Sequence, residues 1–147
     1  MSLPSIYAWS IEHIKHVFEA KTERDCLESI EETFSHHIEI SINGKELSRG
    51  ELQKFVLSMV KSSGFRLNVS WQNAVEVPRD ESNRDGVLGG YYIIRNVRKP
   101  SSGSAPSARF ERHKFVNVVV ESESGSDRID SRRIVKLSLT AMDKPVS

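Results

Sequence analysis

The hydrophobic period of this chain changes from helical to alternating across Gly64, and that change confines it to folds in which helices precede a sheet. From Ser5 to Ala20, the residues Ile6, Trp9, Ile14, Val17 and Phe18 recur at helical spacing with Ile11 nearby, leaving Glu12, Lys15 and Glu19 for water. Thr22 then offers an N-cap with Asp25 at the third helical position, and Leu27, Ile30 and Phe34 form the next stripe. A tight break near Lys21 separates the two helices. Ser48-Arg49-Gly50-Glu51 is a capping box, with Leu47 and Leu52 placed as a hydrophobic staple. It predicts a third helix from Arg49 to about Lys61 that buries Leu52, Phe55, Val56, Met59 and Val60 and stops at Gly64. Only Ile38 to Ile42 interrupts this half, as a short alternating strand closed by the turn dipeptide Asn43-Gly44.

Beyond Gly64 the pattern is that of strands. Phe65, Leu67, Val69, Trp71, Val75 and Val77 take one face of a long run broken only by Asn73, while Arg66, Asn68, Ser70, Gln72 and Glu76 take the other. A charged loop from Pro78 to Gly86 leads to a strand from Val87 to Val97, in which Gly89-Gly90 permits a bulge or strong bend. Pro100 to Ser107 reads as a hairpin loop, and strands from Phe110 to Glu121 and Ile129 to Ala141 flank a polar loop at Ser122 to Asp127. Short links favour antiparallel pairing. The predicted class is α+β, with three N-terminal helices packed in a strongly curved, mainly antiparallel sheet.

Composition excludes several functions. A chain of 147 residues with a net charge of +1 suits one domain spanning 1–147 and lacks the cationic excess that nucleic acid or an acidic membrane would draw on. Cys26 is the only cysteine, so no intrachain disulfide can form. Met1 to Ser10 has no secretory pattern and no run is long enough to span a bilayer, so a cytoplasmic protein is expected.

Two helices, the strand Ile38 to Ile42 with Asn43-Gly44, a helix opening at Ser48 and then long strands resemble the nuclear transport factor 2-like superfamily, especially its SnoaL-like members. The resemblance covers nearly the whole chain and rests on element order and on the segment from Phe34 to Leu52. It implies a cystatin-like α+β cone with a cavity at one end and dimerisation through the outer sheet face. Superfamily members include isomerases, dehydratases, cyclases, protein-transport factors and proteins without activity, so the fold leaves the task open.

Candidate site residues are the polar interruptions of apolar faces. Asn73 shares a face with Trp71 and Val75, and His113 and Asn117 share one with Phe115 and Val119. If these faces line the cone, Trp71 and Tyr91 or Tyr92 form walls, Asn73 and Asn117 orient a ligand, and His113 acts as general acid or base. The bland alternative is that these groups bond to one another or to water. His36-His37 stands at a helix-to-strand junction, where many SnoaL-like members carry Asp at the place of His37; a catalytic role for His37 competes with simple stabilisation of a helix C-terminus.

His13 and His16 lie one turn apart but lack further ligands, so no metal is expected. Gly86 to Gly90 is not a phosphate loop, no Gly-x-Ser-x-Gly is present, and no cofactor is expected. Asn68-Val69-Ser70 is a glycosylation triplet inside a strand, and Arg132-Arg133 reads as solvent-facing charge. Two functional classes follow. One is a binder of, or cofactor-independent enzyme for, a small lipophilic metabolite; the other is a noncatalytic interaction module. Either is expected to form a homodimer through Val116, Val118 and Val120, joined by Ile134, with Lys114 and Lys136 bending to the rim.

Overall fold

A computed structural model describes residues 3–99, 108–125 and 129–146. Helices α1 (Ile6–Phe18) and α2 (Glu23–Thr33) lead into strands β1 (Phe34–Ile42) and β2 (Lys45–Leu47), then α3 (Arg49–Ser62). Strands β3 (Asn68–Pro78), β4 (Gly86–Lys99), β5 (Ala108–Ser122) and β6 (Arg132–Pro145) complete the order. They form one curved, unclosed sheet in the order β2-β1-β6-β5-β4-β3, antiparallel except for the parallel β1/β6 pair. The three helices cover one face, giving the α+β class that the change of period predicts. The expected hairpin loop at Pro100 to Ser107 lies outside the described residues, as do positions 126 and 127 of the polar loop.

The helix starts follow local chemistry. Ser5 Oγ accepts from Ala8 N at 3.0 Å, and Thr22 Oγ1 accepts from Asp25 N at 3.0 Å. At α3, Glu51 N donates to Ser48 Oγ and Ser48 N donates to Glu51 Oε1, both at 3.1 Å, closing the capping box. Asn43 and Gly44, with φ of 52° and 81°, make the left-handed turn that joins β1 to β2. Asn43 then extends the β1/β6 ladder, donating from Nδ2 to Ala141 O at 3.1 Å and accepting from Ala141 N at 2.8 Å.

Three expectations are corrected here. Strand β1 begins directly at Phe34, so His36 and His37 sit in an extended strand rather than at a helix end. Phe65 has φ 57° and belongs to the turn after α3, with β3 starting at Asn68. Phe55, expected in the core, is 62% exposed.

The largest correction concerns sheet faces. Trp71 pairs with Tyr92 and Asn73 with Tyr91, so Gln72 is an extra residue and the alternation changes phase at that point. Val69 and Trp71 therefore face the helices, whereas Asn73, Val75 and Val77 face outward. Gly90 makes the bulge fit, because a Cβ there would lie 2.7 Å from Trp71 Cζ3 and 2.9 Å from Asn73 O. On β5, Val116, Val118 and Val120 are buried in the core with Ile134, so the row expected to meet a second subunit is instead covered by this chain's own helices. The opposite row, His113, Phe115, Asn117 and Val119, lies on the open face.

Arg132 is also corrected. Expected in solvent, it is fully buried and donates to four places: Asp130 Oδ1 (2.9 Å) and Oδ2 (2.8 Å), Pro4 O (2.7 Å) and Asn83 O (2.9 Å). One guanidinium thus ties the N-terminal segment and the β3–β4 loop to the start of β6, with Trp9 stacked 5.7 Å away.

Candidate functional site

Where α3 passes over the end of the sheet, a pocket of about 420 Å³ opens between Phe18, Phe55, Val56 and Met59 on the helix side and Leu139 and Ala141 on the sheet side. Its wall is mostly apolar. Into it β5 and β6 deliver Arg112, Lys114 and Asp143, and the β1–β2 hairpin adds Asn43 and Lys45.

Lys114 occupies the inward row of β5 with Val116 and Val118, and only 8% of it is exposed. Its Nζ stands 4.4 Å over the Phe18 ring and 5.6 Å from the Tyr92 ring. No carboxylate of the described residues lies within ion-pair distance of it. The nearby acid is already engaged: Arg112 donates from Nε to Asp143 Oδ1 at 2.7 Å and from Nη2 to Oδ2 at 3.0 Å, while Lys99 reaches Oδ2 at 2.5 Å. Burial, reinforced by the charge of Arg112 and opposed by that of Asp143, lowers the Lys114 ammonium to about 7. The Arg112 bonds, opposed by burial and aided by Lys99, hold the Asp143 carboxyl down at about 2. The pocket therefore contains one permanent ion-pair cluster and one amine that changes charge near neutrality.

The residues expected from sequence divide between the two faces. Trp71 and Tyr92 lie on the covered face, ring centroids 4.6 Å apart, and Phe18 lies 6.5 Å beyond Tyr92; they form an aromatic run leading to Lys114. Asn73, Tyr91, His113 and Asn117 are brought together, but on the open face rather than inside the cone. There the Tyr91 hydroxyl and His113 Nδ1 share a 2.5 Å hydrogen bond, and Tyr91 stacks on Phe115 at 4.4 Å. His113 Nε2 has no bonding partner among the described residues, and Glu111, ion-paired with Arg95, lies 3.9 Å from it. Asn73, Tyr91 and Asn117 line a shallow hollow of about 290 Å³ floored by Gly89 and Gly90. His37 is exposed on β1 and lines neither hollow; its neighbour His36 pairs with Glu31 at 2.6 Å. His13 stacks on Trp9 at 4.2 Å and bonds its carbonyl. Among the described residues no three His, Cys, Asp or Glu side chains converge to hold a metal ion.

Arg112, Lys114 and Asp143 do not stand out as a site in the sequence. A signal is present for Lys114, since it stands two residues before Val116 and so in the same row as Val118 and Val120. Assigning that row to a subunit interface turns a buried amine into a rim charge.

No family model matches the sequence, and no curated protein matches it. Solved structures do match in shape. Mtr2 of Candida albicans superposes with a TM-score of 0.65 at 10% identity, covering 96% of each chain. A cystatin-like-fold protein of unknown function from Nostoc punctiforme gives 0.59 at 12% identity, covering 97% of this chain and 96% of that one. An NTF2-like protein of unknown function from Pseudomonas aeruginosa gives 0.57 at 11% identity, covering 92% and 94%. These likenesses show the fold, an α+β arrangement that solved proteins described as cystatin-like, NTF2-like and SnoaL-like also adopt. No helix of the described residues is long and apolar enough to cross a membrane.

Proposed function

We propose that this protein binds a small lipophilic molecule in the pocket under α3, with the molecule's polar end against Lys114. The observation that supports this reading is a buried amine in a mostly apolar wall, with no ion-pair partner among the described residues. Such an amine is poorly hydrated and offers up to three donors, so a ligand acceptor that reaches it replaces solvation that folding removed. A volume of about 420 Å³ falls within the size range of small-molecule sites. With its pKa near neutrality, Lys114 also holds an appreciable fraction of free base, as isomerase- or dehydratase-type proton transfer requires without a cofactor.

The test uses anilinonaphthalene sulfonate, an anionic apolar dye. Saturable binding to the native protein is expected, abolished in Ala141→Trp, which fills the pocket, and weakened by on the order of tenfold in Lys114→Met, the value of one charge-assisted bond. Undiminished binding in Ala141→Trp would remove the reading.

A second reading, self-association as a homodimer or interaction module, is favoured by the open face. Phe115 is 60% exposed there, flanked by exposed Val75, Val77, Val87 and Met142. A two-fold contact would bury the same apolar patch on both copies. Light scattering should give twice the chain mass and Phe115→Asp should return it to one; a monomer at high micromolar concentration refutes this reading.

A further inference from the structure

We propose that Lys114 is an imine-forming lysine, whose ε-amine condenses with the carbonyl carbon of an aldehyde or ketone seated in the pocket under α3. This deepens the binding reading and rests on it. Imine formation needs an amine that is uncharged part of the time, reachable by the ligand and free of a carboxylate that would hold its proton. Lys114 meets each need by its position. It lines the pocket, so a ligand there meets Nζ. Phe18 and Tyr92 surround the amine with rings rather than acids. Arg112 occupies both oxygens of Asp143, the acid nearest in the site, and Lys99 takes a share of one, so the ligand has no strong competitor for the amine.

On the strand of Lys114 itself stands Arg112; from β6 comes Asp143; from β4 come the Tyr92 phenol and, through Asp143, Lys99; the hairpin contributes Lys45 at the pocket wall. The groups that α1 and α3 present to the pocket, Phe18, Phe55, Val56 and Met59, carry no charge. Burial and Arg112 disfavour the ammonium, which agrees with a free amine near neutral pH.

The step balances without redox chemistry. The amine lone pair forms a C–N bond as the carbonyl π pair moves to oxygen, which takes a proton to give the carbinolamine. The carbinolamine hydroxyl then takes up a proton, the nitrogen lone pair forms the C=N bond as the C–O bond breaks and water leaves through the pocket mouth, and the iminium gives back its remaining N–H proton, so that one amine and one carbonyl yield one imine and one water. Apolar walls suit an alkyl or aryl carbonyl compound, and Arg112 with Lys45 suits one that also carries an acidic group.

The experiment treats the whole protein with 3-phenylpropanal and sodium cyanoborohydride near pH 7.5, followed by intact mass and peptide mapping; 3-phenylpropanol serves as the noncovalent control. Expected is one prominent adduct, heavier by the aldehyde less its oxygen, on the peptide containing Lys114. It should form on the order of tenfold or more faster than at exposed lysines, because an ordinary lysine is almost wholly protonated at this pH. Lys114→Arg and Lys114→Met should both lose that adduct while retaining the native circular-dichroism spectrum. Adducts spread over surface lysines with Lys114 spared, while the alcohol still raises the melting temperature of the unmodified protein, would overturn the imine and leave the binding reading standing. If neither compound raises the melting temperature and Lys114 is spared, both readings fall together.

Discussion

Arg132→Met should lower the thermal midpoint by about 10 °C, more than any exposed-charge substitution in this chain. Removing the guanidinium strands two backbone carbonyls, Pro4 O and Asn83 O, and leaves Asp130 without its bidentate partner. Loss of one member of a buried ion pair costs about 3–5 kcal/mol, and the lower end applies here because Asp130 keeps some contact with water. At this chain length each kcal/mol moves the midpoint by roughly 2–4 °C. Arg132→Lys should fall nearly as far, since an ammonium cannot span the same four acceptors. Thermal unfolding followed by circular dichroism decides it; a shift inside about 2 °C would mean that the N-terminal segment is held by other contacts.

Lys114→Met should act in the opposite direction, raising stability at pH 7 and flattening its pH dependence. The folded-state ammonium titrates at about 7 and the unfolded one near 10.5, so between those values the unfolded chain binds the extra proton. Stability of the native sequence must therefore rise with pH across that window, by at most about 1.4 kcal/mol per pH unit from this group. Below pH 7 both states are protonated and the penalty of a buried charge is complete. The useful range is about pH 7 to 9: burial raises Cys26 to about 11 from 9.0, and it raises Tyr92 as well, so both favour the folded state less as pH climbs beyond that range. Asp143 titrates at about 2 in the folded chain against an ordinary 3.8, which places its contribution in acid, lost as pH falls through those values. Urea titrations at pH 7, 8 and 9 on both proteins give the comparison. Equal slopes would mean that Lys114 reaches solvent in the folded chain.

What the sequence discloses and what it withholds have separate physical causes. Caps, the Asn43-Gly44 turn and the helical period of α1 to α3 are set by residues within a few positions of one another, and these elements are legible, although Leu27 and Phe55 of the expected stripes are exposed and Phe34 begins β1. The choice of face is not. Strand β5 carries valines on both sides, so alternation alone cannot say which row meets the helices, and one extra residue at Gln72 reverses the phase of β3 midway. Asn73, Tyr91, His113 and Asn117 do form one group, because cross-strand neighbours share parity, yet the group lies on the side away from the pocket. Trp71 and Tyr92 reach the covered side. Arg132 looks like surface charge because its partners at Pro4 and Asn83 lie far away in sequence.

Strand β6 lies between β5 and β1, and its parallel register sets Phe34 beside Ile134 and Ile42 beside Leu139. On a ribosome the β1–β2 hairpin therefore emerges long before the strand that will complete its hydrogen bonds, and its inner side chain Ile40 must wait in the company of α2 and α3 alone. Closing so large a loop is entropically slow, and an unpaired strand edge in the meantime invites pairing with other chains. The exposed His36, His37 and Glu39 of β1 keep that strand polar until β6 arrives.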